Sequence, residues 1–492
     1  MSKSKDLFLT PMIEKIKEQE KISRLLDPSA KTRDSWNEQV LNHTSQFLNE
    51  LENVNAYYQN EDKGAGILDY DLSEDPMTLD SVLKGLKSHI EEDGINAASG
   101  GHMGYIPGGG LYPSALGDFL AAISNKYAGI FFPAPGAVRL ENMLLRWMAK
   151  LMGFPAHAAG NLTSGGSISN LIAVVTAREA VGVKAKDFDR LVVYLSAQAH
   201  HSLQKALRIA GLGEAQLRYI PMDSEFRIEV KELEEAIAVD QKNGLIPFMI
   251  NASMGTTNTG TIDPISEMAA VAEQHKIWFH VDAAYGGFFK LLPELEKDFA
   301  GTEKADSISL DPHKSLFLPF GTGAILIKDK KALYKAHQYT ADYLQDLIDV
   351  EEEVNSADVS PELTKHFRGL RLWLPLKLFG IKPFRAALRE KTLLAKYFHE
   401  EIQKISCFEV GPKPDLSVAI FRFVPENGDA NSFNQKLIKA IQDDGRIFLS
   451  STSIDGVFWI RVAVLIFRTH LRELDLLLKI IREESEAISF AG

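Results

Sequence analysis

Between residues 161 and 328, short apolar runs alternate with stretches at helical spacing, and few folds accommodate that alternation. The runs are 191–196, 217–220, 246–252, 277–281, 305–310 and 323–328. The pattern between them predicts helices from the 163–167 turn to about 180, from 202 to about 211, over 229–243 and over 263–275. Strands this apolar are buried on both faces, and helices between consecutive strands make right-handed crossovers. The expected fold is α/β, with a mostly parallel sheet covered on both sides. Ligands of such sheets bind beyond the carboxyl ends of the strands.

Four of these ends carry polar clusters, around His200, Thr256, Asp282 and Lys314. Read alone, Lys314 is an ordinary lysine in a strand-to-loop turn. A lysine where a strand empties toward the interior is otherwise held by a partner or a reaction. Desolvation favours its neutral amine, which imine chemistry needs. Asp282 is a carboxylate on a neighbouring strand, followed by Ala283 and Ala284, small enough to let a flat ring approach. His200 offers an imidazole face for stacking. Gly165, Gly166 and Ser167 open a helix, where free N–H groups and the helix dipole favour a phosphate. Thr256 could bond near a ring, and His313 could reach a phosphate or a proton path. Together these are the parts of a pyridoxal phosphate site.

Other readings stay open for each part. Gly-Gly-Ser is also a common turn, a strand-end Asp a cap, and a His pair a structural feature. His200, His201, His280, His313 and Asp282 would suit a metal, but no His-x-x-x-His, His-Glu-x-x-His or Cys-x-x-Cys spacing occurs. The 163–167 turn is neither a nucleophile elbow nor a Walker loop.

Composition narrows the partners. A net charge of −12 with no basic block argues against nucleic acid. The single cysteine, Cys407, permits no internal disulfide and suits a reducing cytoplasm. No run approaches the ~18 apolar residues of a membrane span, and the N-terminal stretch has no signal-peptide core. A cytoplasmic protein acting on a small molecule is expected.

Three regions follow from the patterning. Residues 1–115 read as a helical segment, with helices at 32–51 and 75–92, that must bury its apolar stripes elsewhere. Residues 116–380 form the large domain, with helices at 114–127, 139–152 and 361–379 around the alternating core. An acidic connection at 329–360 reads as a lid or a solvated excursion. Residues 381–492 form a small α+β domain, with helices at 384–405, 432–443 and 471–488 and strands at 417–424, 447–452 and 456–464.

The segments TSGGSISN (163–170), QAHHS (198–202), GTTNTGTIDP (255–264), HVDAAYGG (280–287) and DPHKS (311–315) resemble, in order and spacing, the group II pyridoxal-phosphate-dependent amino-acid decarboxylases. That family includes aromatic amino-acid, glutamate, histidine and diaminobutyrate enzymes, and the resemblance runs from about residue 101 to about 478. It implies the type I, aspartate-aminotransferase-like fold and a homodimer with its active site at the interface. It also implies pyridoxal 5'-phosphate as cofactor and decarboxylation of an L-amino acid to an amine and carbon dioxide. The bond broken would leave an external aldimine's carbanion delocalised as a quinonoid. Another type I activity on an amino acid (aldehyde synthase, aminotransferase or lyase) is the alternative.

Carried over by residue, Lys314 resembles the Schiff-base lysine, Asp282 the pyridinium partner and Ala284 the small residue on one ring face. His200 resembles the stacked histidine that assists at the reacting carbon, and Thr256 the ring-contacting threonine. Gly165, Gly166, Ser167, Asp311 and His313 fall where the family binds phosphate or holds the lysine. His102 and Tyr105 fall on the substrate side. Arg461 resembles an arginine near the substrate carboxylate, and reads equally as a strand arginine in a surface ion pair. Two departures stand out. The tyrosine that aromatic decarboxylases carry before an FRGLRLW-like helix is absent near 355–357, although Tyr343 lies earlier. Glycines also replace bulkier residues in 102–109.

Overall fold

The computed structural model describes residues 3–338 and 353–491. Tyr343 and the rest of 339–352, within the acidic connection, lie outside them. By internal contacts the chain divides into Met1–Val54 with Tyr58–Asn96, and Asn55–Tyr57 with Ala97–Gly492.

The first unit is helical. It contains α1 (Lys3–Ser23), α2 (Ala30–Glu50) and α3 (Leu79–Leu86). Ser29 Oγ accepts from the Thr32 N–H, and Thr78 Oγ1 from the Ser81 N–H, each closing a free helix end.

The second unit begins with the glycine-rich segment and continues into α4 (Tyr112–Ser124) and α5 (Pro135–Met152). The Pro-Ala-Pro-Gly stretch separates these helices, with Pro135 serving as the first residue of α5. A seven-stranded sheet follows. Its strands are β1 (Ala159–Thr163), β2 (Leu191–Leu195), β3 (Gln216–Tyr219), β4 (Ile246–Ser253), β5 (Trp278–Ala283), β6 (Ser307–Leu310) and β7 (Gly323–Ile327). The order across the sheet is β1-β7-β6-β5-β4-β2-β3. The pairs from β6 through β3 are parallel, while β7 runs antiparallel to both β6 and β1. Helices α6 (Gly166–Val181), α7 (Ser202–Ile209), α8 (Val230–Lys242) and α9 (Ile265–His275) make the connections.

Two apolar cores explain why the strands read as continuous apolar runs. Val192 and Tyr194 face one core, whereas Leu191, Val193 and Leu195 face the other. The edge strand β1 escaped the sequence reading. Its AGNLT carries glycine and asparagine, yet all five residues are buried. Gly160 is required by proximity, since a Cβ there would stand 2.1 Å from Ile325 O.

The helix expected at 361–379 begins only at Gly369, as α11 (Gly369–Phe379), after α10 (Lys330–His337). Side-chain ion pairs occupy the preceding stretch. Arg368 donates to both oxygens of Glu362, and Lys365 Nζ lies 2.7 Å from Glu141 Oε2 with both side chains buried.

The C-terminal part packs α12 (Ile381–Ile402), α13 (Ala430–Asp444) and α14 (Leu471–Ala491) on a four-stranded antiparallel sheet. Its strands are β8 (Phe408–Val410), β9 (Val418–Phe423), β10 (Ser450–Ile454) and β11 (Val457–Ala463), in the order β8-β9-β11-β10. The strand expected at 447–452 starts later because Phe448 bridges instead to His102, and its carbonyl accepts from the Met103 N–H. Among the described residues no helix is long and apolar enough to cross a membrane.

Candidate active site

A cavity of about 430 Å³ opens at the carboxyl ends of β2, β4, β5 and β6, and its walls include Gly165, His200, Thr256, Asp282, Asp311 and Lys314. Gly166, Ser167, Ala284 and His313 line it too. Ten of the thirteen residues singled out from sequence are therefore neighbours in space. They meet because each follows or ends a strand of one mostly parallel sheet.

Asp282 is the penultimate residue of β5, paired with Ser253 on β4 and Ser309 on β6. Its Oδ1 accepts from the Ala284 N–H and from Ser309 Oγ, both at 3.1 Å. Its Oδ2 accepts from Asn170 Nδ2 at 3.1 Å. Burial pushes this carboxyl up, but His280, Lys314, the Asn170 amide and His200 outweigh it and hold it below its ordinary value. A carboxylate so placed favours a cation or a protonated ring nitrogen opposite it.

Lys314 Nζ lies 3.3 Å from Asp311 Oδ2. His313 is fixed beside them. Its Nδ1 must donate to the Thr322 carbonyl at 2.7 Å, so the neutral ring leaves Nε2 as an acceptor, 3.8 Å from Asp311 Oδ2. Burial keeps its imidazole below the ordinary value. His200 is likewise lowered by burial, against the pull of Asp282. Its ring lies 4.3 Å from that of His201. The Thr256 hydroxyl is 2.7 Å from Thr259 Oγ1, inside the 256–261 turn.

The glycine turn before α6 passes a steric test for a phosphate. Gly165 has φ +151°, and a Cβ there would stand 3.3 Å from His313 Cε1. At Gly166 it would meet Asp311 Oδ2 at 3.1 Å and the Ala284 Cβ at 3.4 Å. Glycines thus keep open the space between the start of α6 and the lysine, and the first N–H groups of α6 lack intrahelical acceptors. Pyridoxal phosphate fits this set of groups.

His102, Tyr105 and Arg461 are not among the cavity walls. Arg461 is buried and donates to the carbonyls of Asn258 (2.9 Å), Gly104 (3.1 Å) and Thr257, and to Ser450 Oγ (2.6 Å). It braces the cavity wall through the backbone of Thr257. His102 is buried between Tyr105 and Phe448, with Nδ1 unpartnered, and Tyr105 is more than half exposed.

Residues 63–424 match the family described as "Pyridoxal-dependent decarboxylase conserved domain". The chain belongs to the pyridoxal-dependent decarboxylase family. An aromatic-L-amino-acid decarboxylase of Bacillus atrophaeus is 32% identical over 394 residues, 79% of this chain and 82% of that one. A phenylacetaldehyde synthase of Petunia hybrida is 32% identical over 432 residues, 83% and 85% of the two chains. The structure of Oryza sativa TDC with PLP and tryptamine superposes with a TM-score of 0.88 at 24% identity, covering 94% of this chain and 99% of that chain. That likeness speaks to the fold, which is the type I fold of these decarboxylases.

This member of the decarboxylase family uses pyridoxal phosphate as its cofactor. Some of the groups that shape its site carried no residue-level role in the sequence reading. Asn170 and Ser202 lie inside quoted motifs but received none. Their signal was spacing: Asn170 is one helical turn beyond Gly166, and Ser202 two residues beyond His200. Gln198 and Tyr285 also line the cavity, with Tyr285 OH 2.6 Å from Ser417 Oγ.

Proposed function

We propose that this chain removes the α-carboxyl group of an L-amino acid and releases the amine and carbon dioxide. One observation carries the reading: Lys314, Asp282, His200 and the Gly165–Gly166–Ser167 cradle line one cavity. Bound there, pyridoxal phosphate supplies a reactive aldehyde and a ring that accepts the electrons left by departing carbon dioxide. Lys314 would hold the cofactor and exchange protons at Nζ. Asp282, kept ionised, would favour a protonated ring nitrogen, and His200 would cover the ring face. The start of α6 would hold the phosphate, with His313 and Asp311 flanking it and Thr256 beside the ring.

A homodimer is part of the proposal. Phe119, Leu120, Ile123 and Phe132 are exposed on and beyond α4, and α1 exposes Met12, Ile13 and Ile16. These apolar surfaces support a partner subunit, with the N-terminal helices packing on it. Tyr105 suits a residue presented to the neighbouring copy. The single cysteine suits a cytoplasmic setting.

A second reading, conversion of the amino acid to an aldehyde, rests on the absence of tyrosine at 355–357. Those residues are tied down: Asn355 Oδ1 accepts from the Phe131 N–H at 2.8 Å, and Ser356 Oγ donates to the Ala128 carbonyl at 3.2 Å. The test is a panel of aromatic, acidic and diamino L-amino acids, assayed for carbon dioxide, amine, ammonia and peroxide. Carbon dioxide with equimolar amine supports decarboxylation. Carbon dioxide with ammonia, peroxide and oxygen uptake supports the aldehyde reading, and amine transfer without carbon dioxide overturns both.

A further inference from the structure

Asn170 is fully buried in α6, and both protons of its amide are directed at groups that line the cavity. Its Nδ2 donates to Asp282 Oδ2 at 3.1 Å and to Ser202 Oγ at 2.9 Å, and its Oδ1 lies 3.1 Å from His280 Nε2. Asp282 dictates which way the amide points. A flipped amide would aim its oxygen at a carboxylate, an acceptor against an acceptor.

With the amide oriented, the protons of the whole network follow. The amide oxygen only accepts, so His280 Nε2 carries hydrogen. Burial pushes His280 down to about 4, so the ring is neutral and its Nδ1 accepts from Ser307 Oγ at 2.8 Å. Ser307 in turn receives the Trp278 Nε1–H at 2.8 Å. This side of the network is closed and leaves Asn170 no freedom to turn.

The other side leads to His200. Ser202 Oγ accepts from Asn170, which directs its own hydrogen to His200 Nδ1, 2.7 Å away. The Ser202 backbone N–H also points at that nitrogen, at 3.3 Å. With Nδ1 accepting, the imidazole hydrogen belongs on Nε2, which makes no hydrogen bond to another described residue. Protonating Nδ1 would require Ser202 to swing its hydrogen away from its one acceptor here.

We propose that Asn170 is a positioning residue: anchored on Asp282, it sets His200 in the Nε2–H tautomer through Ser202. The acid and the stacked imidazole of the site are thereby coupled through one amide, and His200 enters the reaction with a defined donor nitrogen. The role of His200 toward substrate rests on the proposed function; its tautomer does not, and is measured separately.

The test uses the full-length holoenzyme labelled with nitrogen-15 histidine, with the His200 resonances assigned by their loss in His200→Gln. Wild type is expected to show one neutral tautomer with hydrogen on Nε2. Asn170→Asp keeps the side-chain size; its carboxyl, about 3 Å from Asp282, keeps one proton and gives it to Asp282, so the same oxygen presents a lone pair rather than a hydrogen to Ser202. Ser202 then donates to position 170 and accepts from His200, so the Nδ1 and Nε2 resonances should exchange places. Ser202→Ala, which leaves Asn170 and Asp282 paired and only the longer backbone N–H contact on Nδ1, should admit a measurable fraction of the Nδ1–H tautomer and reports on the relay if Asn170→Asp does not fold. A wild-type proton on Nδ1, or an unchanged His200 spectrum in either folded variant, overturns the proposal. Loss of decarboxylation in the amino-acid panel would leave these spectra as they are, so the two ideas fail separately.

Discussion

Lys314 Nζ stands 3.3 Å from Asp311 Oδ2, across the single helical turn Pro312–Ser315 that follows β6. Asp311 is buried, its Oδ1 has no hydrogen-bond partner, and Gly323 must lack a side chain to make room, since a Cβ there would lie 2.8 Å from that oxygen. The carboxylate therefore holds the lysine at the mouth of β6 rather than leaving it to solvent.

That placement predicts where the cofactor attaches. Borohydride reduction of the holoenzyme should fix the cofactor's mass on the peptide that contains Lys314. Lys314→Ala should show neither the added mass nor the visible absorbance of the lysine-bound cofactor. Labelling of another lysine in wild type would refute the assignment.

Asp282→Asn keeps the shape of the side chain and removes its charge. Retained cofactor with turnover lowered about 100-fold or more, ~3 kcal/mol of barrier, is the expected outcome. The measurement is kcat on the substrate found in the panel, alongside the cofactor content of the purified variant. Turnover near wild type would remove Asp282 from its role.

Gly165→Ala puts a Cβ at 3.3 Å from His313 Cε1 on a backbone with φ +151°. Strain of about 1–3 kcal/mol there should weaken cofactor binding roughly tenfold, seen as a raised Kd in a fluorescence titration of the apoenzyme. Unchanged affinity would show that this turn does not shape the phosphate cradle.

His102 predicts an acid-side stability change. Burial lowers its imidazole from 6.5 to about 4, so below 6.5 the unfolded chain binds a proton that the folded chain refuses. Its contribution is level above 6.5 and is lost as pH falls toward 4, amounting to about 2 kcal/mol at pH 5. His102→Phe should be close to wild type in urea unfolding at pH 7 and more stable than wild type at pH 5. Equal pH dependence in both proteins would count against a neutral buried His102.

Glu141 and Lys365 form a buried pair that joins α5 to the turns before α11. Glu141→Ala leaves the buried Lys365 charge with a neutral partner alone, Asn161 Oδ1 at 2.9 Å, and should cost ~3 kcal/mol, whereas Glu141→Leu with Lys365→Met should recover part of it. Thermal unfolding of the three proteins compares them directly. A single variant as stable as the double would mean that the lysine finds water or another partner.

Motif and element agree where the chain's own chemistry is local. The apolar runs that became β2 and β7 were visible because every residue of each is buried and apolar, whereas none of the four residues of the edge strand β3 is fully buried. Lys314, Asp282 and His200 were visible because each directly follows or ends such a run. β1 was not, because a five-residue edge strand containing Gly160 and Asn161 has no periodicity to read. The stretch 361–368 has helical composition, yet Lys365 and Arg368 are drawn to Glu141 and Glu362 from beyond their own turn. Arg461 has the pattern of a strand residue; only its neighbours show that its guanidinium is taken up by the carbonyls of Gly104, Thr257 and Asn258.

The amino-acid order by itself determined a mostly parallel α/β sheet, the residues at its carboxyl ends and the family to which they point, since these depend on period, length and short-range spacing. The tertiary structure decided which of those residues meet. It turned Asn170 from an unremarked helix position into the link between Asp282 and Ser202, and it withdrew His102, Tyr105 and Arg461 from the cavity wall. Hydrogen-bond direction depends on partners that lie 32 and 112 residues away along the chain, and no local pattern encodes it.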